Sequence, residues 1–161
     1  MYTMMKIKAT GYMQAVEFVY NRWYGDEDFA IISIQEGSYP VISFNVVGHC
    51  KAALHLCFND ATESDESSSA FTEEHARKIL NFVLTLDDSV TTILVHCNTG
   101  ASRSVAVAQV LNEYINGLPK ECKGNEHVYR VLDKVFSEGY HKLPKQFDRY
   151  SSDFESFWYE S

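Results

Sequence analysis

The chain has 161 residues, a length that fits one domain with its own core, so we predict a single domain over residues 1–161. Hydrophobic residues make up 45% of the chain, yet no apolar run approaches the roughly 20 residues that a membrane-spanning helix needs. With 22 acidic and 14 basic residues the net charge is −8, which argues against a nucleic-acid partner because like charges repel.

The first half of the chain alternates short strands with one helix. Residues 5–9 predict a strand and residues 11–23 a helix, whose apolar side chains at helical spacing are Met13, Val16, Val19 and Tyr20. Three short β-rich runs bounded by turn-forming or polar residues then predict core strands at 29–34, 41–46 and 53–58. Residues 59–70 are acidic, Ser-rich and aperiodic, which predicts a solvated loop.

The second half begins with a helix that Thr72 caps and that runs to about Leu86. The nearly continuous apolar run 91–97 is typical of a strand buried on both faces. A second helix is predicted over 104–116, with Gly117 and Pro119 as its stop. Its apolar stripe consists of Val107, Val110, Leu111, Tyr114 and Leu118.

Asn125 can cap the last well-defined helix. The apolar stripe of that helix consists of Val128, Val131, Leu132, Val135 and Phe136. Beyond Lys145 the chain is rich in aromatic residues that we expect to cover the core or a partner surface, namely Phe147, Phe154, Phe157 and Trp158. Alternating strands and helices predict an α/β layered fold, with helices flanking a mostly parallel sheet.

The segment from His96 to Ser104 lies where the buried strand meets a helix. Backbone N–H groups in such a loop, together with the positive end of the helix dipole, form an anion site. Gly100 can take the positive φ that a tight loop needs. Cys97 would lie in the same field, which lowers the pKa of a thiol and makes it a better nucleophile. The planar guanidinium of Arg103 matches two oxygens of a phosphate.

A Cys followed six positions later by an Arg is common by chance, and a buried Cys at a strand end is usually inert. Here the strand, the His-Cys pair, the central Gly, the Ser-Arg-Ser run and the apolar helix occur in the required order. That context favours a catalytic interpretation.

The motif HCNTGASRS resembles the signature of the protein tyrosine phosphatase superfamily, and most closely its compact, dual-specificity-like branch. The resemblance implies that Cys97 attacks phosphorus, that Arg103 binds the phosphate, and that the Ser104 hydroxyl stabilises the departing thiolate. It also implies that His96 orients the loop. The remaining phosphate-binding positions would be Asn98, Thr99, Gly100, Ala101 and Ser102.

A general acid must protonate the leaving group, because an alkoxide or phenolate leaves poorly without a proton. In the superfamily this acid is an Asp beyond an upstream strand. Asp60 fits because it directly follows the run 53–58 and opens a loop that could swing over the pocket. Asp65 is the rival, but it lies inside the Ser-rich loop, where a rigid position is harder to hold.

The other chemistry-bearing residues form no second site. The four cysteines are scattered without C-x-x-C spacing, so we interpret them as reduced thiols. The remaining histidines show no metal-binding pattern, so no metal and no cofactor is expected. Cys57 is expected to be a packed strand residue, although the resemblance also allows a protective disulfide with Cys97. The polar N-terminus suggests no export signal, hence a cytoplasmic location and no membrane association.

We therefore expect a hydrolase of phosphate monoesters that acts on phosphotyrosine proteins, on phosphoserine or phosphothreonine proteins, or on small aryl phosphates. One alternative is a phosphate-binding module without catalysis. The other is an RNA 5′-phosphatase or a phosphoinositide phosphatase, against which the loop residues 98–102 offer no Lys or Arg for further phosphates.

Overall fold

Both strands and helices occur along the part of the chain that the computed structural model describes, residues 4–21, 27–37, 42–61 and 70–140. In chain order these elements are β1 Lys6–Thr10, α1 Tyr12–Asn21, β2 Asp28–Gln35, β3 Cys50–Cys57, α2 Glu73–Leu84, β4 Val90–His96, α3 Arg103–Asn116 and α4 Glu126–Gly139. Asp65 and the aromatic tail beyond Lys145 lie outside the described residues, and the single-domain boundary 1–161 stays a prediction.

The four strands form one sheet in the order β1-β4-β2-β3, and every neighbouring pair is parallel. This confirms the predicted α/β fold with a parallel sheet. The central strands β2 and β4 are almost wholly buried, as their continuous β-branched and apolar sequences predicted. Because all strands run the same way, their carboxyl ends meet at one edge, where ligands bind in open α/β sheets.

The two faces of the sheet pack against different layers. On one face, α2, α3 and α4 enclose the main core, and alternate β2 residues such as Ile32 and Ile34 point into it. On the other face, α1 packs through Ala15 and Val19 onto Phe29 and Leu94. The sheet is therefore buried from both sides, which its hydrophobic strands require.

The predicted strand at 41–46 is wrong for residues 42–46, which pair with none of the described strands. The Ile42 N–H donates to Gln35 Oε1 at 3.1 Å, and the Phe44 N–H donates to His55 Nε2 at 3.0 Å. Side chains thus replace the ladder bonds that a strand would make. Phe44 is buried against the sheet face, which accounts for the β-like sequence of the segment.

The predicted buried face of α1 is also partly wrong. Met13 is 72% exposed and Tyr20 is 50% exposed, whereas Ala15 is fully buried and Val19 almost so. The small Ala15 side chain lets the helix approach the sheet closely, so the helix is rotated away from the larger residues. In α3 the helix ends at Gly117, and Leu118 lies beyond it at the surface instead of in the core.

The predicted caps and the predicted stop at Gly117 are confirmed, while α2 ends at Leu84, two residues before the predicted Leu86. Thr72 caps α2 with its hydroxyl, Asn125 caps α4 with its side-chain oxygen, and Gly117 ends α3 in the left-handed conformation. Each side-chain cap contributes about 1 kcal/mol, because it satisfies an N–H group that has no partner within the helix. Among the described helices, none has the length and apolarity to cross a membrane.

Candidate active site

The segment 97–102 connects the end of β4 to the start of α3 at the carboxyl edge of the sheet. Arg103 is the first residue of α3, and N–H groups of the loop and of the first helical turn, those of Gly100, Ser102 and Ser104, bond to the Cys97 sulfur. The loop is anchored to the end of β1, since the Cys97 N–H donates to the Thr10 carbonyl at 3.2 Å and the Tyr12 N–H to the Asn98 carbonyl at 3.1 Å.

The Cys97 thiol is buried, with 1% of the residue exposed. Its sulfur lies 3.2 Å from Ser104 Oγ and accepts the Ser104 backbone N–H at 3.4 Å. Burial alone would raise the pKa of this thiol. Hydrogen bonds from the Ser104 hydroxyl and N–H and from the N–H groups of Gly100 and Ser102 outweigh burial and hold the pKa below its ordinary value.

Arg103 is buried as well, with 4% exposed. Its Nη1 donates to the Phe58 carbonyl at 2.8 Å, and its Nη2 lies 3.5 Å from Glu36 Oε2. The buried Nε has no partner among the described residues. A buried donor without an acceptor costs about 1–3 kcal/mol. The guanidinium is thus held on one side and offers donors to an anion on the other.

The loop closes around Gly100, which has φ of 78°. A Cβ at this position would lie 2.5 Å from the Gly11 nitrogen and 2.5 Å from the Thr10 carbonyl carbon, both of them backbone atoms. Only glycine satisfies both the positive φ and the close approach. The other predicted loop positions, Asn98, Thr99 and Ala101, are exposed at the rim, where the Ala101 N–H donates to Thr99 Oγ1 at 3.3 Å.

Behind the loop, His96 is fully buried and its Nδ1 lies 3.3 Å from the Cys97 carbonyl. Because a carbonyl can only accept, the proton is on Nδ1, and Nε2 accepts the Ser33 hydroxyl at 2.7 Å. Gln35 Nε2 donates to Ser33 Oγ at 2.9 Å and extends this series of hydrogen bonds. Burial is the main cause that lowers the pKa of His96, so the ring is neutral at pH 7 and fixes the backbone at Cys97.

Asp60 lies beside the loop. Its Oδ1 accepts the Ser102 hydroxyl at 2.8 Å, and Ser102 directly precedes Arg103. The carboxylate is exposed, and it already contacts the loop without a swinging movement. The rival, Asp65, falls outside the described residues.

The sequence did not predict which groups from other elements contact Arg103 and Asp60. Glu36 directly follows β2, and its position at the carboxyl edge was the signal that could have found it. The Phe58 carbonyl carries no sequence signal. Asn125 was identified as a helix cap, but its contact with Asp60 was not predicted.

No group of three or more His, Cys, Asp or Glu side chains in the described ranges could hold a metal ion. All four cysteines are free thiols, Cys57 among them. Desolvation raises the pKa of the half-buried Cys57 thiol, so it is the less reactive of the two thiols near this edge of the sheet.

No family model matches the sequence, and no curated protein matches it. The structure is similar to solved phosphatase structures. The PTP-2 phosphatase of Cydia pomonella aligns over 83% of this chain and 90% of its own, with 15% identity and a TM-score of 0.49. The tyrosine phosphatase OH1 of Orf virus aligns over 99% and 73%, with 17% identity and a TM-score of 0.44. Human DUSP28 aligns over 96% and 95%, with 14% identity and a TM-score of 0.44.

Proposed function

We propose that this protein is a cysteine-dependent phosphatase of the dual-specificity-like type that hydrolyses phosphate monoesters. The observation that carries the proposal is the pairing, within one short loop, of a thiol whose pKa is lowered with a buried arginine whose Nε has no partner among the described residues. The first group is a nucleophile and the second is an anion-binding donor. A purely structural loop would need neither.

In the proposed first step, the Cys97 thiolate attacks phosphorus and an S–P bond forms. The P–O bond to the leaving group breaks, its electron pair goes to the leaving oxygen, and Asp60 gives that oxygen a proton. The Arg103 Nε and Nη2 bind two oxygens of the phosphoryl group, while the loop N–H groups stabilise the charge that develops on it. These donors need no rearrangement, because Phe58 and Glu36 already hold the guanidinium.

In the second step, water attacks the phosphocysteine. Asp60, now a carboxylate, takes a proton from the water, and the S–P bond breaks with its electron pair on sulfur. The Ser104 hydroxyl, 3.2 Å from the sulfur, stabilises the departing thiolate. The products are inorganic phosphate and the resting enzyme, and the proposed cycle uses no metal and no cofactor.

We propose phosphotyrosine proteins, and also phosphoserine or phosphothreonine proteins, as substrates. Two carboxylates lie at the site, Glu36 beside Arg103 and Asp60 beside Ser102, and the loop residues 98–102 carry no cation. This charge pattern disfavours a substrate with several phosphates, such as RNA or a phosphoinositide. A cytoplasmic location is part of the proposal and rests on the sequence alone.

The proposal is tested by phosphate release from phenyl phosphate in the presence of a chelator. The wild-type protein should turn over, Cys97→Ser should bind phosphate without turnover, and Cys122→Ser, which changes an exposed cysteine, should behave as wild type. Activity that the chelator abolishes would refute the mechanism. Phosphate binding without turnover in the wild type would instead favour the non-catalytic module.

The role of Asp60 is tested by the leaving group. Asp60→Asn should reduce kcat/KM on phenyl phosphate by about 10² to 10⁴, the usual contribution of positioned proton transfer. The loss should be much smaller on a fluorinated coumarin phosphate, whose leaving group is already a stable anion. If Asp65→Asn shows this selectivity and Asp60→Asn does not, then the acid is Asp65.

A further inference from the structure

Asn125 joins three parts of the candidate site. Its Oδ1 accepts the Val128 N–H at 3.0 Å and caps α4. Its Nδ2 donates to Asp60 Oδ1 at 2.6 Å and to the Ala61 carbonyl at 3.0 Å. Its backbone N–H donates to the Ser102 carbonyl at 3.1 Å. The residue is 3% exposed, so water does not compete for these bonds.

The approach of α4 to the loop depends on the residue before Asn125. Gly124 has φ of 73°, and a Cβ there would lie 2.4 Å from the Ser102 carbonyl oxygen and 2.7 Å from the Ala106 nitrogen. A side chain would push the start of α4 away from the loop. The close backbone contact at Gly124 therefore keeps the start of α4 near the loop and places the Asn125 amide within hydrogen-bond distance of Asp60.

Both donors to Asp60 lie on the same oxygen. The Ser102 hydroxyl and the Asn125 amide each bond to Oδ1, at 2.8 Å and 2.6 Å. Among the described residues, none donates to Oδ2. A proton on the carboxyl group would therefore occupy Oδ2, because a proton on Oδ1 would displace one of these donors.

We infer that Asn125 is a positioning residue for the acid–base step, and that it fixes the Asp60 side chain with Oδ2 as the oxygen that gives and takes the proton. The inference rests on the proposed function. An exposed loop carboxylate would otherwise rotate among several conformers, and a catalytic group must be held within about 0.5 Å of its productive place. Asparagine suits the position because one side chain supplies both the acceptor that caps α4 and the donor to Asp60.

The test separates capping from positioning. Asn125→Ser keeps a capping oxygen, but its shorter side chain has no amide to donate to Asp60. We expect kcat/KM on phenyl phosphate to decrease about 10²-fold, the scale of a 1 Å misplacement, and kcat/KM on the fluorinated coumarin phosphate to stay near that of wild type. Thr72→Ala is the control, since it removes the cap of α2, whose hydroxyl bonds to His75 and not to Asp60, and should show no such selectivity.

A double-mutant cycle decides whether Asn125 acts through Asp60. Asn125→Ser added to Asp60→Asn should cost no further activity on phenyl phosphate, because the acid that it positions is already lost. Losses that multiply, or an equal loss on both substrates in Asn125→Ser alone, would overturn the inference. If Asn125→Ser does not fold, Asn125→Thr, which also keeps a capping oxygen and adds no charge beside Asp60, takes its place in the same assay.

The contact can also be measured without turnover. The side-chain NH₂ resonances of Asn125 in a ¹H–¹⁵N spectrum should shift in Asp60→Ala, and unchanged resonances would overturn the inference. Failure of the proposed function looks different. In that case the wild type is inactive on both substrates, or Cys97→Ser retains activity, whatever residue stands at 125.

Discussion

Ser104→Ala tests the electrostatics of the proposed nucleophile. The substitution removes the hydroxyl 3.2 Å from the Cys97 sulfur and leaves the backbone donors in place. A hydrogen bond to a charged group contributes about 1.5–3 kcal/mol. Because other donors to the thiolate remain, we take the lower end, which corresponds to about a tenfold smaller thiolate population at a pH where the thiol predominates. The pKa of Cys97 should rise, because the thiolate loses a hydrogen-bond donor that stabilises it.

The assay is the rate at which iodoacetamide alkylates Cys97, followed by peptide mass over a range of pH, since only the thiolate reacts. We expect the alkylation profile of Ser104→Ala to move to higher pH, and the acid limb of kcat/KM to move with it. Ser137→Ala, which removes an exposed hydroxyl from α4, is the matched control. An unshifted profile in Ser104→Ala would refute the assignment of the Ser104 hydroxyl as a donor to the thiolate.

Three further predictions follow from the same geometry. Arg103→Lys should lower kcat by about 10²–10³ in a turnover assay although the charge is kept, because an ammonium cannot reproduce the guanidinium donors. Near-normal rates would show that the Arg103 guanidinium does not stabilise the transition state. Gly100→Ala should lower the urea midpoint well beyond the matched Gly117→Ala, which has φ of 74° but open space around it, so equal losses would contradict the clash. Burial lowers the pKa of His55 and His96, so the unfolded chain binds more protons below about pH 6.5. The free energy of unfolding therefore has its full value above that pH and decreases as the pH falls through it. This decrease, measured by urea titration at several pH values, should be smaller in His96→Gln.

The parts of the fold that local sequence determines were predicted correctly. The caps at Thr72 and Asn125 and the stop at Gly117 depend on side chains within a few residues of each helix end. The segment at 42–46 was wrong, because β-propensity does not say whether a strand partner is available. Gln35 and His55, which are 7 and 11 positions away from Ile42 and Phe44, supply its hydrogen bonds through their side chains.

Part of the candidate site could likewise be predicted from local sequence, and part of it could not. The loop that carries Cys97 and Arg103 is contiguous, so its order of strand, glycine and helix could be predicted from sequence. The groups that hold the loop residues in place come from other elements, such as the Phe58 carbonyl, 45 positions away from Arg103, and the Asn125 amide, 65 positions away from Asp60. Backbone carbonyls are present at every residue, so only the three-dimensional structure shows which one is used.

Arg103 can bind a phosphate while it keeps its two protein partners, because neither of them interacts with the guanidinium charge as strongly as a bound phosphate would. The Phe58 carbonyl is a buried neutral acceptor at 2.8 Å, which fixes the guanidinium without cancelling its charge. Glu36 is a charged partner, but it lies at 3.5 Å and its side chain is 52% exposed, so water screens the ion pair. A phosphate bound inside the loop would be less screened and would also meet Nε, which has no partner in the part of the chain that the structure describes. Glu36 therefore orients Arg103 while leaving the anion the stronger electrostatic partner.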